Sequence, residues 1–127
     1  MIYRRLWYYM ATMKRNTIKN HADFALGDND PTARCAFFLV RAKPAKFPDD
    51  PRFGMIVTKK SFKHAVDRNR AKRLLRDWIE FNENLMVPQW DYVFIIRRDI
   101  LNATRTDGRV AMKKTLNYLR KQEINTY

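Results

Sequence analysis

FGMIVTKKSFKHAVDRNRAKRLLR, residues 53–76, changes its period half-way along. Phe53–Lys59 is β-branched at its centre and reads as a strand. From Val66 or Asp67 to Asn82 the pattern becomes helical. Ala71, Leu74, Leu75, Trp78 and Ile79 fall at i, i+3, i+4, i+7 and i+8, one face of a 3.6-residue period. Asn69, Lys72, Arg73 and Arg76 repeat with the same spacing on the other side, and Asp67 is placed to cap the start. One helix therefore offers an apolar stripe to a core and a cationic stripe away from it.

Between Lys59 and Arg76 stand eight basic residues and one acid, Asp67, a net +7 in 18 residues. Exposed helices ordinarily alternate sign and gain i,i+4 ion pairs. This segment repels itself, and a clustered basic stripe of that kind is the footprint of a phosphate-binding surface. The whole chain of 127 residues carries 26 Lys+Arg against 13 Asp+Glu, so more than half of the +13 lies here. A hydrophobic content of 46% excludes a disordered basic tail, which could not offset its chain entropy by burial. The length points to one domain with its own core.

Working outward, Cys35–Ala42 and Trp90–Arg98 read as two more strands, and Pro44, Pro48 and Pro51 make Lys43–Arg52 a loop. A second helix follows Thr106-Asp107-Gly108 to about Lys121, with Ala111, Met112, Leu116 and Leu119 inward. A weaker helical stretch covers Thr17–Leu26. The order α-β-β-α-β-α describes an α+β fold, a small mixed sheet covered by helices.

No window approaches the ~18–20 apolar residues of a membrane span. The aromatic-basic residues 1–10 lack the apolar stretch of a signal peptide. A single cysteine, Cys35, precludes an internal disulfide and fits a reducing compartment, so the cytoplasm is expected. Cys35 itself reads as a small core residue of the first strand. His21 and His64 stand alone, without metal-ligand spacing, and no nucleophile elbow or glycine-rich phosphate loop is present. The sequence offers no catalytic residues, no metal ligands and no site for an organic cofactor.

Residues 53–76 resemble the protein subunit of bacterial ribonuclease P. The family combines a strand ending in Ser/Thr-Lys-Lys, a link containing Ala, and a helix opening Arg-Asn-Arg-x-x-Arg-x-x-Arg. Here these are Thr58-Lys59-Lys60, Ala65, and Arg68-Asn69-Arg70 with Arg73 and Arg76. Asp23-Phe24, Arg52-x-Gly54 and Asp91–Arg98 match the flanks, so the likeness covers about residues 17–121. It implies a fold like the second domain of ribosomal protein S5, with a left-handed β-α-β crossover. It also implies a partner RNA that holds the active site and its Mg2+, and a substrate, precursor tRNA, whose 5′ leader is removed. No membrane and no obligate protein partner are implied.

On that likeness, Lys59, Lys60, Arg68, Asn69, Arg70, Lys72, Arg73 and Arg76 would anchor the catalytic RNA. Phe24, Phe37, Phe38 and Arg52 would be candidates for the leader, the rings stacking on unpaired bases. Residues 1–12 would be a dispensable extension before a single RNA-binding domain, 13–127. The alternative is a non-enzymatic ribosomal or other structured-RNA-binding protein of similar fold. A self-sufficient nuclease would need the carboxylate and histidine constellation that is missing.

Overall fold

A computed structural model describes residues 15–24 and 30–126 of the chain. The expected extension 1–12 and the end of the first expected helix, Ala25 and Leu26, lie outside those residues. The described chain forms five strands: β1 (Asn16–Thr17), β2 (Thr32–Arg34), β3 (Phe38–Pro44), β4 (Arg52–Ile56) and β5 (Trp90–Ile96). Two helices, α1 (Ala65–Phe81) and α2 (Arg105–Thr126), join them, with 3-10 turns at His21–Phe24, Glu83–Leu85 and Arg98–Asn102.

The strands make one mixed sheet in the order β1-β4-β5-β3-β2. β4 and β5 are parallel neighbours joined through α1, whereas β3 runs antiparallel to both β5 and β2. Register sorts the side chains into two faces. Phe38 pairs with Ile96, Val40 with Phe94 and Ala42 with Tyr92, while Phe53 pairs with Tyr92 and Met55 with Phe94. These residues, with Trp90, turn towards the helices. Leu39, Arg41, Lys43, Arg52, Gly54 and Val93 alternate with them and occupy the opposite face.

The helical stripe read from the sequence is the one that is buried. Ala71, Leu75, Trp78 and Ile79 of α1 meet Met112, Leu116 and Leu119 of α2 and the apolar sheet face in one cluster. Leu74 is half-buried at its edge. The helices approach closely because Gly108 has no side chain: a Cβ there would lie 1.9 Å from Cε2 of the fully buried Trp78. Asn82 adds a polar link, donating from Nδ2 to the carbonyls of Trp78 and Arg109 (3.1 and 3.0 Å). Arg109 closes the outer side with two hydrogen bonds to Asp77 (3.1 and 3.2 Å) and lies over the Phe81 ring.

Several expectations change. α2 starts at Arg105, so Thr106-Asp107-Gly108 lies inside its first turns, and the loop expected at Lys43–Arg52 is shorter because β3 runs through Pro44 and β4 starts at Arg52. Where the sequence predicts a helix over Thr17–Leu26, the described residues hold β1 and a 3-10 turn, and β1 pairs in parallel with β4. The strand expected at Cys35–Ala42 begins at Phe38. Cys35 instead lies in the tight link from β2, where the Phe37 amide donates to its Sγ. β2 itself has no counterpart among the expected strands. Asp67 is not the cap of α1: His64 stands at that position without a side-chain cap bond, and Asp67 sits in the first turn. A carboxylate there still complements the helix dipole.

Candidate nucleic-acid interface

The cationic residues of 59–76 come together on one surface. The strand β4 leads to a turn at Thr58–Ser61, closed by the Phe62 amide donating to the Thr58 carbonyl (3.0 Å) and the Ser61 amide donating to Thr58 Oγ1 (3.2 Å). The turn holds Lys59 and Lys60 exposed. Two arginines fix it to the rest of the fold. Arg68 Nη1 donates to the carbonyls of Phe62 and Lys63 (2.8 and 3.2 Å), and Arg98 Nη1 donates to the Ser61 carbonyl (3.1 Å). Arg68 thus holds the lysine turn against the helix that follows it.

Along α1, Asn69, Arg70 and Arg73 are exposed, while Lys72 and Arg76 are half-buried at the flank. Arg70 and Arg73 line a notch of about 250 Å³ with Asp77 and Arg105 from the start of α2. Asp77 is engaged by Arg109, which leaves three guanidinium groups around the notch. Among the described residues, none of Lys59, Lys60, Arg70, Lys72, Arg73 and Arg76 has an ion pair. Guanidinium forks without carboxylates suit phosphate, which they can bind in a bidentate way. A backbone polyanion contacting several of them would also release its condensed counterions.

The leader candidates are distributed differently. Phe24 lies on the sheet face away from the helices, its ring against Gly54, where a Cβ would come within 2.3 Å of Cε1. Phe38 is removed from the candidates: it has no exposed surface and packs edge-on against Phe94 in the core. Phe37 is half-buried on the helical side, 5.6 Å from the Trp78 ring.

Arg52 is buried and committed to two carboxylates. Nη1 donates to Asp23 (3.1 Å), Nη2 reaches Asp91 (3.5 Å), and its backbone amide donates to Asp91 Oδ1 (2.7 Å). Lys46 also contacts Asp23 (3.1 Å), and Lys43 Nζ donates to the Asp23 carbonyl. Hydrogen bonding from Lys46, then from Arg52, holds the Asp23 carboxyl below its ordinary value against the opposing effect of burial. This network pins Asp23-Phe24 to the sheet, so Arg52 positions Phe24 rather than offering a free cation. Among the described residues, register places Arg34, Arg41 and Lys43 on that face, Lys43 already donating to Asp23, and none of the three is among the residues expected from the sequence. The alternation of Arg41 and Lys43 with Val40 and Ala42 is the signal that could have found them.

The model of the Ribonuclease P family matches residues 12–120. The chain belongs to that family. The ribonuclease P protein component of Idiomarina loihiensis is 39% identical over 69 residues, 54% of this chain and 51% of that protein. That of Azotobacter vinelandii is 35% identical over 81 residues, 62% of this chain and 61% of its own length. The chain therefore matches about half to three-fifths of these curated relatives. The RNase P protein of Staphylococcus aureus superposes with a TM-score of 0.62 at 25% identity, covering 87% of this chain and 96% of that one. The RNase P protein from Thermotoga maritima has the same fold, with a TM-score of 0.63 at 23% identity over 84% and 97% of the two chains.

Two site features were out of reach of the sequence. Arg98 and Arg105 join the cationic surface only because the chain returns to it after β5. Among the described residues no three His, Cys, Asp or Glu side chains gather as a metal site. No described helix is long and apolar enough to cross a membrane.

Proposed function

We propose that the protein is the RNA-binding subunit of ribonuclease P, acting with a catalytic RNA to remove the 5′ leader of precursor tRNA in the cytoplasm. The observation that carries this reading is the lysine turn held by Arg68 and Arg98 beside the outward cationic face of α1. That surface is tied to the fold by hydrogen bonds, and among the described residues its outward cations make no ion pairs, which leaves them open to a structured RNA. Arg70, Arg73 and Arg76 would take phosphates there, Lys59 and Lys60 would add point charges, and Asn69 could read a base edge or a 2′-hydroxyl.

The opposite sheet face would take the leader. Phe24 supplies a ring for one unpaired base, and Arg34, Arg41 and Lys43 supply charge for its phosphates. Mg2+ would be held by the RNA, where phosphate oxygens suit a hard cation. The protein's own contribution is to bind, orient and neutralise.

Leader recognition tests the reading. The assembled protein–RNA complex should bind precursor tRNA more tightly than the same tRNA lacking its leader. Phe24→Ala should narrow the difference while leaving mature tRNA binding unchanged. Equal affinity for both tRNAs, with or without Phe24, would instead favour a general structured-RNA binder.

A further inference from the structure

The net charge has a second source outside 59–76. Residues 97–121 contain eight Lys and Arg but only two acids, Asp99 and Asp107, a net +6. Part of that charge borders a groove at the far end of the sheet from β1. The edge strand β2 and helix α2 enclose about 710 Å³ there, lined by Thr32–Cys35, Val110, Ala111, Lys114, Thr115 and Tyr118, with Asp107 at one end. Grooves of this size accommodate ligands of several hundred daltons.

Three properties point to one class of occupant. The groove is apolar at its floor, where Ala33 is buried and Ala111 half-buried. Its wall carries two large apolar side chains open to solvent, Val110 (46% exposed) and Tyr118 (53%). Its rim is cationic: Arg34 stands on the strand side and Lys114 on the helix side, with Lys121 two turns further along. An aromatic face flanked by cations is the arrangement that binds unpaired nucleotides, the base stacking while its phosphates meet charge. The rim charge disfavours the chain's own first 14 residues as occupant, because they contain Arg4, Arg5 and Lys14 and no acid.

We propose that the groove between β2 and α2 binds a single-stranded RNA segment, one base against Tyr118 and the adjoining phosphates at Lys114 and Arg34. It is a second RNA contact, separate from the α1 surface, and it meets the sheet face that carries Phe24 only at the edge residue Arg34.

Cys35, the sole cysteine, lines the groove and reports its occupancy. Burial pushes its thiol up, so modification by N-ethylmaleimide is followed at mildly alkaline pH. The full chain is titrated with a single-stranded RNA octamer, and with a duplex of equal length as the control. The octamer should slow Cys35 modification at least fivefold, and the duplex should not. Tyr118→Ala should raise the RNA concentration needed by about fivefold or more, the low end of a stacking contact. Lys114→Ala should weaken protection and reduce its dependence on salt. Both side chains are exposed, so neither change should unfold the domain.

Bound octamer with unchanged Cys35 reactivity would overturn the proposal. So would protection that survives both substitutions, or equal protection by the duplex. A thiol already shielded without RNA and released by deleting residues 1–14 would assign the groove to that segment instead. The readout uses no ribonuclease P RNA, so it can succeed or fail independently of the function proposed above.

Discussion

Gly108→Ala is the most informative single perturbation of the packing that aims α1 at its partner. The new Cβ would lie 1.9, 2.0 and 2.5 Å from three atoms of the Trp78 indole, which is fully buried between the helices and the sheet. Alanine gains about 0.8–1 kcal/mol over glycine in a helix interior. Overpacking a core costs about 1–3 kcal/mol, and contacts this short place the cost at the upper end. The net expectation is a loss of about 2 kcal/mol, or a fall in Tm of about 6–12 °C for a domain of this size. Urea and thermal unfolding followed by tryptophan fluorescence measure it.

A double-mutant cycle isolates the cause. With Trp78→Leu as the background, the added methyl has room, and the Gly108→Ala penalty should shrink below about 0.5 kcal/mol or change sign. An unchanged Tm for the single variant would refute the packing argument. So would the same penalty in both backgrounds.

Three further outcomes follow from the sites. Arg70→Ala and Arg73→Ala should each weaken binding to a structured RNA and flatten the log affinity against log salt by about 0.7–0.9 for each phosphate no longer neutralised, as read by filter binding. An unaltered slope in both would remove them from the interface. Gly54→Ala would drive a methyl into the Phe24 ring, so precursor tRNA affinity should fall while binding of the RNA subunit stays unchanged. A loss of both would mean the sheet itself had been disturbed. Because the folded state lowers the Asp23 pKa, its contribution to stability is present above the unfolded value, about 3.9, and is lost as pH falls through the folded one. Asp23→Asn should therefore show a shallower loss of stability on acidification below about pH 4 than the parent. Superimposable acid limbs would contradict the ion-pair network.

The parts visible in the sequence were those with a period. Ala71, Leu75, Trp78 and Ile79 repeat along a helix, and Tyr92, Val93, Phe94 and Ile95 form an apolar run long enough to mark a central strand. β1 and β2 span only two and three residues, too short for alternation to mark them; β1 is set by pairing with the distant β4, and β2 by the tight link that folds it onto β3. The anchoring of Arg52 has no local sign, because Asp23 and Asp91 converge on it from 29 and 39 residues away. Phe37 and Phe38 were indistinguishable as letters. The link from β2 is what places one beside Trp78 and the other wholly inside. The cationic face of α1 could be read early because charge and helical phase are both local, whereas Arg98 and Arg105 had to be brought to it by the fold.

The central claim is that this surface serves a ribonucleoprotein endonuclease whose chemistry resides in RNA. Adding the purified protein to a bacterial ribonuclease P RNA at low magnesium, with precursor tRNA as substrate, tests it most directly. The expected result is stimulated cleavage that yields the mature tRNA 5′ end, requires the RNA, and weakens when Arg70 and Arg73 are replaced by alanine. Failure to stimulate, or cleavage by the protein alone, would contradict it.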